Sequence, residues 1–180
     1  VWAVGDFVNS GFSEQTLIEQ WNGHSWTVVP SPNVGSSTNS LSGVAAVSST
    51  DVWAVGSFLG SSSAEQTLIE HWNGTSWMVV PSPNVGSLNN FLFGVTAVSS
   101  TDVWAVGTYF DQFGNELTLI EHWNGTSWMV VASPNVSSGN SLSGVAAVSA
   151  KNVWAVGLFI SNNTGVDQTL TEQWNGTSWK

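Results

Sequence analysis

Two columns of carboxylates recur along this chain at intervals of about fifty residues, and they are the side chains best suited to chemistry. Glu19, Glu70, Glu121 and Glu172 form one column; Glu14, Glu65, Glu116 and Asp167 form the other. The first column alternates with Leu17 and Trp21, Leu68 and Trp72, Leu119 and Trp123, and Leu170 and Trp174. In an extended strand each of these carboxylates therefore shares a face with bulky apolar side chains. A carboxylate so placed must accept hydrogen bonds from indole or backbone N–H groups, or take up a proton. The expected role is a satisfied structural carboxylate, with a metal site or a catalytic acid pair as the chemical alternatives. The second column opens the same strand beside a loop of variable sequence. Four carboxylates around one face would suit calcium, which takes several oxygen ligands, but no Asp-x-Asp-x-Asp-Gly series accompanies them, and solvated loop acids are the competing expectation.

The other reactive side chains are sparse. His71 and His122 stand in a column that holds Gln20 and Gln173 elsewhere, and His24 stands where Thr75, Thr126 and Thr177 appear. There is no cysteine, no arginine, no His-x-x-x-His pair and no phosphate-cradling glycine loop, so nucleophilic or metal-assisted transfer chemistry has little to use. A non-enzyme is expected. A carboxylate-only glycosidase is the one catalytic class that the composition leaves open.

The elements that must position these residues come from repetition. Val-Trp-Ala-Val-Gly begins at Val1, Val52, Val103 and Val153, placing Trp2, Trp53, Trp104 and Trp154. Trp-Asn-Gly-x-Ser-Trp follows in each unit, placing Trp21 and Trp26, Trp72 and Trp77, Trp123 and Trp128, and Trp174 and Trp179. All 12 tryptophans fall in these two motifs. The units run 1–51, 52–102, 103–152 and, in part, 153–180, within a single domain of 180 residues. A period of this length marks repeats that bury their faces against one another, and three indoles per unit read as packing between them.

Within a unit, 92–99 and 103–110 read as a hairpin around the turn signal at 100–102, followed by strands over 117–123 and 128–131. Asn124-Gly125 is expected to supply a type I′ turn. Asp51 and Asp102, with Asn152, are expected to fix the turn before the second strand by bonding backbone two residues on. Pro30, Pro32, Pro81, Pro83 and Pro134 fall where the fourth strand ends, which suits an outermost edge. The phenylalanine-like column Phe7, Phe58, Tyr109 and Phe159 is assigned to packing. The fold class expected is all-β: a β-propeller of four-stranded antiparallel blades, nearly four of them, belonging to a larger or oligomeric propeller.

Asp-Val-Trp-Ala-Val-Gly paired with Trp-Asn-Gly-Thr-Ser-Trp and then Val-Val-Pro resembles tectonin-type and kelch-like propeller repeats, in particular the long-unit repeats of secreted bacterial proteins. The resemblance covers the whole chain and implies the propeller fold. Propellers serve as lectins, enzymes and scaffolds alike.

Twelve acids stand against Lys151 and Lys180, giving a net charge of -10, which excludes nucleic-acid backbones and anionic membrane surfaces as partners. With 8% charged residues, the polar surface is rich in hydroxyls and amides, resembling secreted or cell-surface bacterial proteins. An extracellular location is expected, without membrane insertion. The loops 8–13, 59–64, 110–115 and 160–166 are where the units diverge, and loops on a rigid scaffold commonly carry binding. A loop-face ligand set would comprise Phe12, Glu14, Glu65, Asp111, Phe113, Glu116 and Asp167. The preferred function is a non-catalytic binding and assembly module, self-associating or continuing through incomplete terminal blades, with itself and a protein or glycan ligand as partners. A lectin with one site per blade is the alternative, and a carboxylate-dependent glycosidase the third. No cofactor is expected beyond calcium at the second acidic column.

Overall fold

The computed structural model describes residues 1–35 and 37–180. Alternating apolar and polar residues rich in valine, threonine and aromatics favour extended backbone, and the chain forms four antiparallel sheets. The first contains β1 (Trp2–Val8), β2 (Glu14–Trp21) and β3 (Trp26–Val28). The second contains β4 (Asn39–Ser48), β5 (Asp51–Leu59), β6 (Glu65–Trp72) and β7 (Trp77–Val79), and the third β8 (Asn90–Ser99), β9 (Asp102–Phe110), β10 (Glu116–Trp123) and β11 (Trp128–Val130). The fourth contains β12 (Asn140–Ser149), β13 (Asn152–Ile160) and β14 (Asp167–Trp174), with Lys180 pairing Gln173 through two backbone hydrogen bonds. Each sheet is one blade of an open, propeller-like arrangement, and strand order follows chain order within every blade.

The short outer strands β3, β7 and β11 end one or two residues before Pro30, Pro81 and the Ala132-Ser133-Pro134 segment. The linkers that follow are latched rather than loose. Asn33, Asn84 and Asn135 accept hydrogen bonds from the backbone N–H of Thr16, Thr67 and Thr118, whose hydroxyls also meet Ser31, Ser82 and Ser133 at 2.6–2.7 Å. Asn39, Asn90 and Asn140, all buried, receive backbone N–H groups at 34, 85 and 136 and pin each linker to the start of the next blade.

Two local expectations are corrected. The Asn-Gly connections are not two-residue type I′ turns, which need positive φ at both central residues. They are four-residue loops in which only the glycine is left-handed (Gly125, φ 92°) and the Asn124 side chain accepts from the N–H groups of Thr126 and Ser127. Asp51 and Asp102 do not bond backbone two residues on; Ser48 and Ser99 take the N–H of Thr50 and Thr101 instead, and the aspartates reach across to the third strand.

The closing glycine of Val-Trp-Ala-Val-Gly has a steric cause. Each innermost strand bulges between Leu41 and Gly43, Leu92 and Gly94, or Leu142 and Gly144. The bulge drives the carbonyl oxygens of Ser40, Phe91 and Ser141 onto Gly56, Gly107 and Gly157, where any side-chain carbon would overlap them. The buried core consists of three clusters, one between each pair of neighbouring blades.

Candidate functional site

Each blade interface is built from one indole of the earlier blade and two of the later one. Trp53 packs on Trp123 (centroids 5.0 Å apart) and edge-on to Trp128 (5.4 Å, 77°). Trp104 repeats this with Trp174 and Trp179 at 5.0 and 5.4 Å, and Trp2 does so with Trp72 and Trp77 at 5.2 and 5.3 Å. The reason lies in the alternation of strands: residues 53 and 55 face forward, while 52 and 54 face the preceding blade.

Nine tryptophans are thus consumed in three triads, and three remain. Trp21 and Trp26 pack on each other at 5.7 Å on the outer face of the first blade, and Trp154 lies on the outer face of the fourth. Together these are the parts of one further triad, split between the two ends. Trp26 and Trp154 are 44% and 40% exposed, whereas Trp77 and Trp53 are 5% and 2%. Beside Trp154 the face continues through exposed Val156, Leu158 and Ile160.

The first carboxylate column runs through these interfaces. Glu70, Glu121 and Glu172 are buried with no hydrogen-bond partner to either oxygen among the described residues, so the expectation of a satisfied carboxylate is corrected. The indole N–H groups of Trp77, Trp128 and Trp179, buried in the same interfaces, are equally without partners. Burial alone pushes the Glu70 and Glu121 carboxyls up to about 8 and that of Glu172 to about 7, so all three hold protons in mildly acidic solution. Glu19, the fourth member, lies half-exposed on the free face of the first blade.

The histidines form cross-strand ties. His71 meets Asp51 and His122 meets Asp102, both at 2.8 Å, and each imidazole lies against the indole of its own blade, Trp53 at 4.2 Å or Trp104 at 4.1 Å. In the fourth blade Gln173 donates to Asn152 at 2.9 Å, a neutral pair in the same place. In the second and third blades this column therefore ties two strands and lies against an indole, and in the fourth it ties the same strands through neutral amides.

The loop face gathers the strand two-to-three loops and the linkers, as Glu14 and Glu116 donate their backbone N–H to Ser37 and Ser138, and Glu65 to Asn89. Phe12 and Phe113 project from it, 93% and 79% exposed. Asp111 turns inward to its own loop, accepting from Asn115 and from the N–H of Phe113; the Asn115 side chain leads in holding its carboxyl below the usual range. Glu14 pairs with Asp6, which raises its pKa. Glu65, Glu116 and Asp167 sit in separate blades, and among the described residues no three acidic or histidine side chains are placed to hold one metal ion. A cleft of about 300 Å³ on the third blade is lined by Val85 of the linker entering that blade and by Tyr109, Thr118, Ser133 and Asn135. The Thr118 and Ser133 hydroxyls and the Asn135 oxygen are engaged with one another and with backbone.

The sequence reading missed the buried asparagines at 39, 90 and 140. Their signal was present, an asparagine two residues before the leucine of every innermost strand. No protein-family model matches the chain, and no curated protein does.

Proposed function

We propose that this chain is a non-catalytic module that works by assembly: the Trp154 face of its fourth blade docks on the Trp21–Trp26 face of the first blade of another copy. The split tryptophan triad carries this reading, because the interface it would form already exists three times inside the chain. The fourth-blade face is not capped with polar residues. Thr171 replaces the isoleucine of Ile18, Ile69 and Ile120, but Leu158 replaces Ser57 and Thr108, which keeps the face apolar. The contact pairs two different surfaces, so it is head-to-tail, and it closes into rings or extends into filaments. We place the module outside the cell, on the strength of its hydroxyl- and amide-rich surface. The kinship with tectonin-type and kelch-like propellers is part of the same proposal.

Light scattering and electron microscopy across a concentration series test it. The mass is expected to grow in steps of the 19.1 kDa chain. Val156→Lys is expected to return the protein to monomer without lowering its melting temperature, since Val156 is 48% exposed and braces no internal contact of the core clusters. A wild-type monomer at about 1 mM, where even weak contacts of roughly 4 kcal/mol are half-populated, would refute the reading.

A further inference from the structure

Gly5 ends the same motif as Gly56, Gly107 and Gly157, yet nothing lies within 4 Å of the place its side-chain carbon would take. In the other three blades that place is closed by a carbonyl of the innermost strand. No turn explains Gly5, whose φ is not among the positive values. A glycine inside a strand weakens it by roughly 0.5–1 kcal/mol relative to alanine, so Gly5 costs stability here and serves no contact within the four blades. Its strand, β1, pairs with β2 on one side and presents a bare edge on the other. Along that edge runs a groove of about 410 Å³, walled by Trp2 and Gln20 of the first blade and by Val44, Ala46 and Ser48 of β4.

We propose that this groove is a strand-acceptor site, which binds one extended segment with the pattern Leu-x-Gly-Val-x-Ala-Val. That pattern is shared by β4, β8 and β12. The register follows from the three internal pairings, which place Leu41 against Gly56, Gly43 against Val55 and Val44 against Ala54, and repeat in the next two blades. The incoming leucine lies opposite Gly5, the glycine opposite Val4 and the following valine opposite Ala3. The leucine is needed because Leu41, Leu92 and Leu142 are all buried at the equivalent place. The glycine is needed because innermost strands of neighbouring blades meet at close range: a side-chain carbon on Gly43 would lie 3.0 Å from the Phe93 carbonyl, and one on Gly94 would lie 3.2 Å from Gly144. Backbone pairing along the β1 edge supplies affinity, and these two positions supply selectivity. The site is independent of stacking between copies.

The test adds a synthetic peptide with the sequence of residues 140–149 to the full chain and follows calorimetry, Trp2-sensitive fluorescence and amide exchange. Saturable one-to-one binding with new protection confined to β1 and β4 is expected. A peptide with valine in place of its glycine, and the chain variant Gly5→Val, should each weaken binding by roughly tenfold or more, about 1.4 kcal/mol. Gly5→Val has open space around it and should melt at or above the wild-type temperature. Absence of saturable binding, equal binding of the glycine-less peptide, or unchanged binding to Gly5→Val would each overturn the proposal. So would β1 amides that are already protected in a dimer of the chain alone, which would make a second copy the occupant. Sedimentation run alongside separates the two readings: monomers that bind peptide uphold the groove and refute stacking, and assemblies that do not bind it refute the groove alone.

Discussion

Raising the pH should destabilise this fold, and Glu121 is the residue on which that argument is cleanest. Its carboxyl is buried between the second and third blades, with neither oxygen partnered among the described residues, and burial lifts it from 4.5 to about 8. The unfolded chain ionises this group near 4.5, whereas the folded chain keeps it protonated up to about 8. Below 4.5 both states hold the proton and the group exerts no pH effect. Between these values the unfolded state binds fewer protons, so stability falls as pH rises, by about 1.4 kcal/mol per pH unit. Above about 8 both states are ionised and the loss is complete, on the order of 5 kcal/mol for this one group. That is comparable to the whole stability of many domains, roughly 5–15 kcal/mol. Glu70 and Glu172 act in the same direction in their own interfaces.

The assay is urea unfolding of the wild type and Glu121→Gln at intervals from pH 5 to 9. Glutamine keeps the shape and cannot ionise, so the variant should match the wild type near pH 5 within about 1 kcal/mol and exceed it by several kcal/mol near pH 9. Taking the difference between the two curves cancels His71, His122 and the surface acids, which both proteins share. A wild-type stability that is level or rising between pH 5 and 8, or a variant whose curve runs parallel to it, would refute the assignment of a neutral buried carboxyl.

The same physics reaches the assembly interface, since docking on the first blade would bury Glu19 as Glu121 is buried. Glu19→Gln is expected to associate more tightly than the wild type, because an amide costs less to desolvate than a carboxylate, read by sedimentation. Gly56→Ala forces a side-chain carbon onto the Ser40 carbonyl and should cost about 2–4 kcal/mol, whereas Gly5→Ala should be neutral or stabilising by a few tenths, both read by thermal melting. Replacing Asp102 and His122 together by the asparagine and glutamine of the fourth blade should leave stability within about 1 kcal/mol, because the amide pair spans the same gap at 2.9 Å.

The blade pattern was legible in the sequence because period-two alternation and turn residues are local signals. The hairpin expected over 92–99 and 103–110 appears as β8 and β9 with its ends moved by two residues or fewer. Nine of the twelve tryptophans pack between blades for the same reason, since each motif fixes which face an indole takes, while Trp21, Trp26 and Trp154 stay on the free faces. What failed depended on distances across strands. Alternation placed Glu70 and Glu121 on an apolar face, but whether an indole N–H reaches a carboxylate depends on ring orientation, and the rings are turned by their edge-on contacts with the preceding blade, 88° for Trp77 on Trp2 and 77° for Trp128 on Trp53. Likewise Asp51 had a local partner available in principle, and a cross-strand histidine 20 residues away won because the register sets Trp53 opposite His71.

Three interfaces of one design also constrain how copies can meet. A two-fold dimer would set like against like, either Trp154 on Trp154 or Trp21 and Trp26 on their own copies. The first pairing lacks the two indoles that complete a triad, and the second would bring two Glu19 carboxylates together beside the Trp21–Trp26 pair. Like charges at close range are destabilising unless protonated. Head-to-tail docking avoids both faults, since each contact joins one forward indole to two rearward ones and buries a single carboxyl. Polarity of assembly is therefore written into the alternation of the strands, and mixing wild-type chains with Val156→Lys chains should shorten assemblies from one end only: a Val156→Lys chain can still offer its first-blade face, so it adds at the end where a growing assembly exposes Trp154 and then stops it. Equal blocking of both ends, resolved by labelling the variant in electron micrographs, would show that the contact is not directional.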